Sequence, residues 1–348
     1  MTATPRDVAV AVVGLGFGRN HARVLHELPG ARLAAICDRD EERLAAVSQG
    51  RDVATYTDHR EMLKQERLDA VIVAVPTRLH ATVAEDAIAT GCAVMVEKPI
   101  ASTLDEGRRL VAHAEAAGVP LMHGHIERFN PAVQELKHHL DAGEAGRVIQ
   151  VTTRRLAYFV DRPRDFDVGV VHDLAFHDID VMRLLTGAEV ERAYAETLTN
   201  IRTPFEDSLN GTLRFRSAEP GSGIIGTLEV NRLSARIVRE LSVLGTGGEF
   251  VLDYRAQSLE FRPAQSLQSD AATPQQETPI VRLQGLEPGV AVPIAVEHGE
   301  PLLAELSAFV DAVRSGGPMP VSNHDALAAL EIADALTESG RSGRAVTL

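Results

Sequence analysis

Over its first 125 residues the chain alternates nearly unbroken apolar runs with amphipathic stretches. Val8–Val13, Leu33–Cys37, Asp69–Val75 and Ala93–Val96 are β-prone and show no inside/outside alternation, the pattern of strands covered on both faces. Between them, Glu41–Gln49, Arg60–Glu66, Thr82–Thr90 and Thr103–Ala117 carry helical spacing, the last two stopping at Gly91 and Gly118. Repeated strand–helix units of this length predict an α/β, doubly wound parallel sheet.

The pattern changes after Pro131. A helix from Ala132 to Leu140 precedes candidate strands at 148–154, 190–198, 208–215, 223–232, 240–244, 249–252 and 258–261. Several alternate apolar and polar residues, as expected of an open, mostly antiparallel sheet with one covered face, flanked by helices. Gln265–Thr278, rich in serine, glutamine and alanine, reads as a loop. Leu302, Leu306, Phe309 and Val310 share one face of a helix beginning at Pro301, and an alanine-rich helix spans Asp325–Leu336. Two domains are expected, 1–125 and 126–348, with the C-terminal helices 301–336 in the second.

Composition narrows the function classes. Among 348 residues, Lys plus Arg total 35 against 49 acidic residues, a net charge of −14. That balance argues against nonspecific nucleic-acid binding and against an anionic membrane surface. With no apolar leader, no membrane-length run and only Cys37 and Cys92 as cysteines, a cytoplasmic protein without a disulfide framework is the simplest expectation.

Candidate chemistry sits at strand ends. Gly14-Leu15-Gly16-Phe17-Gly18-Arg19 follows the first strand and opens a helix. There Gly14 permits a tight turn, Gly16 lets a pyrophosphate approach, and the helix N-terminus faces its charge. The usual third glycine position holds Arg19 and Gly18 comes one residue early, which reads as a shortened loop. Asp38, ending the second strand, can accept the adenosine ribose hydroxyls and repel a 2′-phosphate, favouring NAD over NADP. Arg39 beside it could instead receive a phosphate or stack on adenine. Glu97-Lys98-Pro99 follows a buried run, where ligands bind in open parallel sheets, and lysine is readily tuned for proton transfer. The bland alternative is a charged turn.

In Val171–Leu185, Asp173 and His177 lie four apart on one helical face, with Leu174, Val181 and Leu185 on an apolar stripe. They make a coherent acid–base pair, or an ordinary surface pair. His172, Asp173, His177 and Asp178 do not share one face, so no metal site is expected.

The glycine turn, Val75-Pro76-Thr77-Arg78-Leu79-His80, Glu97-Lys98-Pro99 and Gly124-His125-Ile126-Glu127-Arg128-Phe129-Asn130-Pro131 together resemble the Gfo/Idh/MocA family of NAD(P)-dependent oxidoreductases. The resemblance covers nearly the whole chain and implies an N-terminal Rossmann domain. It places Gly14, Gly16, Phe17, Gly18, Asp38, Arg39, Pro76, Thr77, His80, Glu97 and Lys98 at the cofactor. It implies Lys98, Asp173 and His177 as the catalytic set, leaving open whether Lys98 or His177 takes the proton, and suggests a cis Lys98–Pro99 peptide. His123–Val133 and Asp167–Asp180 are similar to the branch that includes UDP-N-acetylglucosamine 3-dehydrogenases. On that likeness the expected reaction is oxidation of a sugar 3-hydroxyl, with Arg128, Asn130, Arg154, Arg164, Asp173 and His177 at the substrate and Arg155 another candidate diphosphate contact. Alternatives are a free-sugar or inositol dehydrogenase, an NAD-dependent glycoside hydrolase and a noncatalytic sensor. By analogy the exposed sheet is expected to join a homodimer or homotetramer.

Overall fold

The structure, a computed structural model, describes residues 6–158, 168–200, 204–216, 223–264 and 289–348. Its first third comprises β1 (Val8–Val13), α1 (Gly18–Glu27), β2 (Ala31–Cys37), α2 (Glu41–Ser48), β3 (Ala54–Tyr56), α3 (His59–Gln65), β4 (Ala70–Val73), α4 (His80–Ile88), β5 (Ala93–Glu97), α5 (Leu104–Ala117) and β6 (Leu121–Gly124). The strands pair in parallel in the order β3-β2-β1-β4-β5-β6. Chain order reverses between β1 and β4, so the ligand crevice of a doubly wound sheet opens at their carboxyl ends. β1 and β4 are buried at every position, as helices on both faces require. The short edge strand β3 has no apolar run to announce it and is only half covered.

The rest begins with α6 (Pro131–Asp141) and β7 (Val148–Leu156). A five-residue π turn, Val171–Ala175, leads into α7 (Phe176–Thr186). Then come β8 (Val190–Leu198), β9 (Ser208–Phe215), β10 (Ile225–Asn231), β11 (Val238–Gly245), β12 (Gly248–Asp253), β13 (Ser258–Pro263), β14 (Val292–Ile294), α8 (Pro301–Ser315), α9 (Asn323–Ser342) and β15 (Val346–Thr347). Among the described residues these strands form one sheet, β14-β13-β12-β11-β7-β10-β9-β8-β15, antiparallel except where β10 meets β7. Leu209, Leu213, Leu228, Val230, Leu241 and Val243 are buried on its inner face. The outer face is polar: Thr227 donates to Thr152 (2.9 Å). The loop expected at Gln265–Thr278 lies outside the described residues.

The chain divides into two units, Met1–Ile126 with Glu300–Leu330 and Glu127–Gly299 with Glu331–Leu348. By contacts, residues 300–330 of the expected C-terminal helices group with the first unit and residues 331–348 with the second. Leu302, Leu306, Phe309 and Val310 are buried where α8 packs on α1 and β1, Arg314 donates to the Gly30 carbonyl (2.7 Å), and Arg23 pairs with Glu300. The hydrophobic stripe of α8 was legible; which sheet it would cover was not. Among the described residues no helix is long and apolar enough to cross a membrane.

Candidate functional site

In the first unit the glycine turn lies at the crevice between β1 and β4. Gly14 has φ +90°, and a Cβ there would lie 2.6 Å from the Ala74 carbonyl oxygen. Gly16 faces open space: an added Cβ would meet no atom within 4 Å. Gly18 is buried as the first residue of α1, where a Cβ would come within 2.9 Å of Val12 Cγ1. Gly18 therefore lets helix and strand close together, the work of the third glycine in the fingerprint, one position early. Asp40 and Asp58 cap α2 and α3, whereas no side chain caps α1. A pyrophosphate over Gly16 would meet unsheltered amides and the positive end of the helix. The turn fits a dinucleotide.

Asp38 is built into this turn. Its carboxylate accepts from the amides of Leu15 (2.6 Å) and Asp40 (2.9 Å), which fixes it at the end of β2. Arg39 is exposed, as are Phe17 and Pro76, while Thr77 is buried in a single 3-10 turn before α4. Phe17 stands edge-on to His21, with ring centres 5.5 Å apart.

The tripeptide after β5 is anchored on both sides of Lys98. Glu97 Oε1 meets buried His21 Nε2 at 2.7 Å, and Glu97 Oε2 accepts from the Lys98 amide (3.2 Å). Burial alone would push the Glu97 carboxyl up; the bond from His21, with His21 and Lys98 charge nearby, holds it below its ordinary value. Gly124 makes room, since a Cβ there would lie 3.1 Å from that carboxylate. The Lys98–Pro99 peptide is cis. On the far side, the Pro99 carbonyl lies 2.7 Å from His80 Nδ1 and the Val75 carbonyl 2.8 Å from Nε2. Glu97 and His80, expected at the cofactor, thus spend these side-chain atoms on the fold around Lys98. Lys98 itself is half-buried.

In the second unit the expected uniform helix over 171–185 opens instead with the π turn, in which the Phe176 amide donates to the Val171 carbonyl. Single π turns recur at functional sites because they re-aim side chains. Asp173 and His177 are both half-buried, and Leu174 is only half-buried beside buried Val181 and Leu185. Arg232, immediately after β10, donates to Asp173 (3.0 Å). The sequence reading missed this partner, 59 positions away.

The described arginines expected at the substrate are paired with carboxylates. Arg128 grips Asp180 through Nε and Nη2 (2.8 and 2.6 Å) with both side chains buried. Asn130 caps α6 by accepting from the Ala132 amide (3.1 Å) and donates to the Tyr254 carbonyl (3.0 Å). Arg155 bridges Asp178 (2.8 and 3.1 Å) and Glu127 (3.1 Å), and stacks over Tyr254. Burial would lower the Arg155 pKa, yet Asp178 and Glu127 together raise it. Arg154 lies on the outer sheet face, its Nε donating to Glu229 (2.7 Å), the residue opposite it in strand register. Arg128, Asn130, Arg154 and Arg155 thus each have partners within the scaffold. Arg164 lies outside the described residues. Among the described residues no group of three potential ligands could hold a metal.

Comparison with known proteins agrees with this fold. Residues 8–125 match the oxidoreductase family's NAD-binding Rossmann fold and residues 137–348 its C-terminal alpha/beta domain. The chain is 29% identical to the D-apiose dehydrogenase of Paraburkholderia graminis, over 100% of this chain and 91% of that one. It is 30% identical to inositol 2-dehydrogenase 1 of Saccharopolyspora erythraea, over 97% and 96%. UDP-N-acetylglucosamine 3-dehydrogenase of Acidithiobacillus ferrooxidans is 35% identical over 51% of this chain and 54% of its own. The crystal structure of that enzyme superposes with a TM-score of 0.79, covering 96% and 97% at 24% identity, and so supports the shared fold. The chain belongs to the Gfo/Idh/MocA family of NAD-binding oxidoreductases, dehydrogenases that act on CH–OH groups.

Proposed function

We propose that this enzyme oxidises a secondary ring hydroxyl of a free sugar or cyclic polyol, with Lys98, Asp173 and His177 as its reacting set. The observation that carries the reading is Lys98 at the carboxyl end of β5, with a buried histidine bonded to the residue on each side. Nicotinamide, when bound, supplies the hydride acceptor. The glycine turn would hold its diphosphate, and Asp38 would take the ribose hydroxyls and disfavour a 2′-phosphate. As the carbon gives up hydride, its hydroxyl proton must leave, and His177 is suited to accept it near neutral pH. Lys98 would donate a hydrogen bond to the same oxygen. Asp173, steadied by Arg232, would orient the substrate or His177. The exchange of roles, Lys98 taking the proton, is chemically equivalent.

A free polyol is preferred because Arg128, Arg154 and Arg155 are engaged by carboxylates, and because the apiose and inositol enzymes match along nearly their whole length. A UDP-linked amino sugar, oxidised at its 3-hydroxyl, is the second reading, favoured by the higher identity to the UDP-N-acetylglucosamine enzyme over about half the chain. Purified enzyme with NAD should be offered apiose, scyllo- and myo-inositol, UDP-N-acetylglucosamine and a nitrophenyl glycoside. NADH formation with a free polyol is the expected result. NADH with the nucleotide sugar alone selects the second reading, and nitrophenol release would point to transient oxidation followed by elimination. Lys98→Met and His177→Asn should each lower kcat by about 10²–10⁴, with NAD still bound. Turnover unchanged in both variants would sink the assignment.

A further inference from the structure

We propose that His80 is a positioning residue, held as a doubly protonated imidazolium that ties the end of β4 to the segment carrying Lys98. His80 opens α4 and is 2% exposed. One ring nitrogen lies 2.7 Å from the Pro99 carbonyl oxygen and the other 2.8 Å from that of Val75. Backbone carbonyl oxygens only accept, so each contact needs an N–H on the ring. A neutral imidazole carries one N–H and an imidazolium carries two. A neutral ring here would press a nitrogen lone pair against a carbonyl oxygen inside the protein, away from water that could separate them.

A buried cation needs compensation, and the surroundings supply it. Two carbonyl dipoles point at the ring, and the Glu97 carboxylate is close enough to feel its charge. Among the described residues, other titratable groups nearby include Lys98 and His21 around Glu97, and exposed Arg78 on the preceding turn. The buried face of α5, which packs on α4, presents Gly107, Leu110, Val111 and Ala114 and adds no charge. α3 reaches α4 through His59 and Arg60, which pair with Asp86 six residues beyond His80. Glu97 is a carboxylate among the described residues that feels the ring's charge and can balance it.

The mechanical effect follows from what the two carbonyls belong to. Val75 leaves β4 beside the glycine turn, and Pro99 directly follows Lys98. One ring spanning both fixes the distance between nucleotide turn and lysine, while His21 fixes Glu97 on the other side. Loss of the second proton would surrender one of the two bonds and let Lys98 drift. A misplacement of about 1 Å can cost about 10²-fold in rate. The positioning half of this inference rests on the role proposed for Lys98; the protonation half does not.

Nuclear magnetic resonance of the ligand-free protein, labelled with ¹⁵N in its histidine rings, tests the charge directly. The His80 ring, assigned by through-bond correlation to its backbone, should carry two protons at pH 7 and keep them to higher pH than a free imidazole side chain. Exchange of the Ile100 and Ala101 amides should quicken beyond the ordinary base-catalysed rise as that second proton is lost. A neutral single-tautomer ring at pH 7 overturns the proposal without reference to any substrate. In turnover assays His80→Gln, whose amide can reach only one of the two carbonyls, should lose about 10²-fold in kcat with the KM for NAD little changed. An unchanged kcat in a folded variant overturns the positioning role.

Discussion

Glu97 shows how one side chain can serve both stability and chemistry. Its carboxyl is held below the ordinary value of 4.5, so its bonded form contributes stability above that value. That contribution fades as pH falls through the depressed folded value, because protonation removes the acceptor that His21 and the Lys98 amide use. Glu97→Gln should therefore flatten the acid limb of a thermal-denaturation series, with the gap between wild type and variant shrinking as pH falls below 4.5. Parallel curves from pH 3 to 7 would show that the pair adds no pH-dependent stability. The same residue explains Gly124, since any side chain there meets the carboxylate. The positions of Gly14, Gly16, Asp38 and Lys98 at strand ends were legible because each sits in a short local pattern between strand and helix. The partners of Glu97 and Asp173 were not, because His21 and Arg232 are brought to them from 76 and 59 positions away.

Among the elements, α7 is the one whose setting decides where His177 sits. It is bolted down by two buried bidentate pairs, Asp178 with Arg155 of β7 and Asp180 with Arg128, flanking Ile179. Arg155→Met should destabilise the protein by about 3–5 kcal/mol, since it removes the cation bonded to buried Asp178 and Glu127 and, among the described residues, leaves only Arg239 near them. Replacing Arg155, Asp178 and Glu127 together by apolar residues should recover much of that loss while leaving His177 less well aimed. Chemical denaturation of the two variants, read with kcat, separates stability from alignment; equal stability of single and triple variants would refute the account. The helix was visible in the sequence as an apolar stripe, but its π start was not. Charged residues in a motif invite a ligand reading, and only coordinates show that Arg128 and Arg155 already have carboxylates.

For the molecule as a whole, the outer face of the large sheet is the surface with an open assignment. Thr152, Thr227 and the Arg154–Glu229 pair form a polar centre there. Ile225 and Leu244, each in register with Gln150, are exposed at its margin (40% each), and Tyr194 stands exposed on β8. We expect this face to be covered in a homodimer or homotetramer. Light scattering on a sizing column should give a multiple of the 37.5 kDa chain mass, and Ile225→Lys with Leu244→Lys should return it to one. A wild-type monomer at tens of micromolar would rule the arrangement out. Fold class followed from hydrophobic pattern, whereas strand order and the membership of α8 depended on which apolar surfaces met.

That membership bears on how the protein is made. A ribosome delivers residues 1–126 long before the helix that completes their sheet's covering layer, because Glu127–Gly299 must be synthesised first. At about 5–20 residues per second the delay is roughly ten to thirty-five seconds. Throughout it, the apolar seat of α8 on α1 and β1 stays bare, a landing place for chaperones or for another nascent chain.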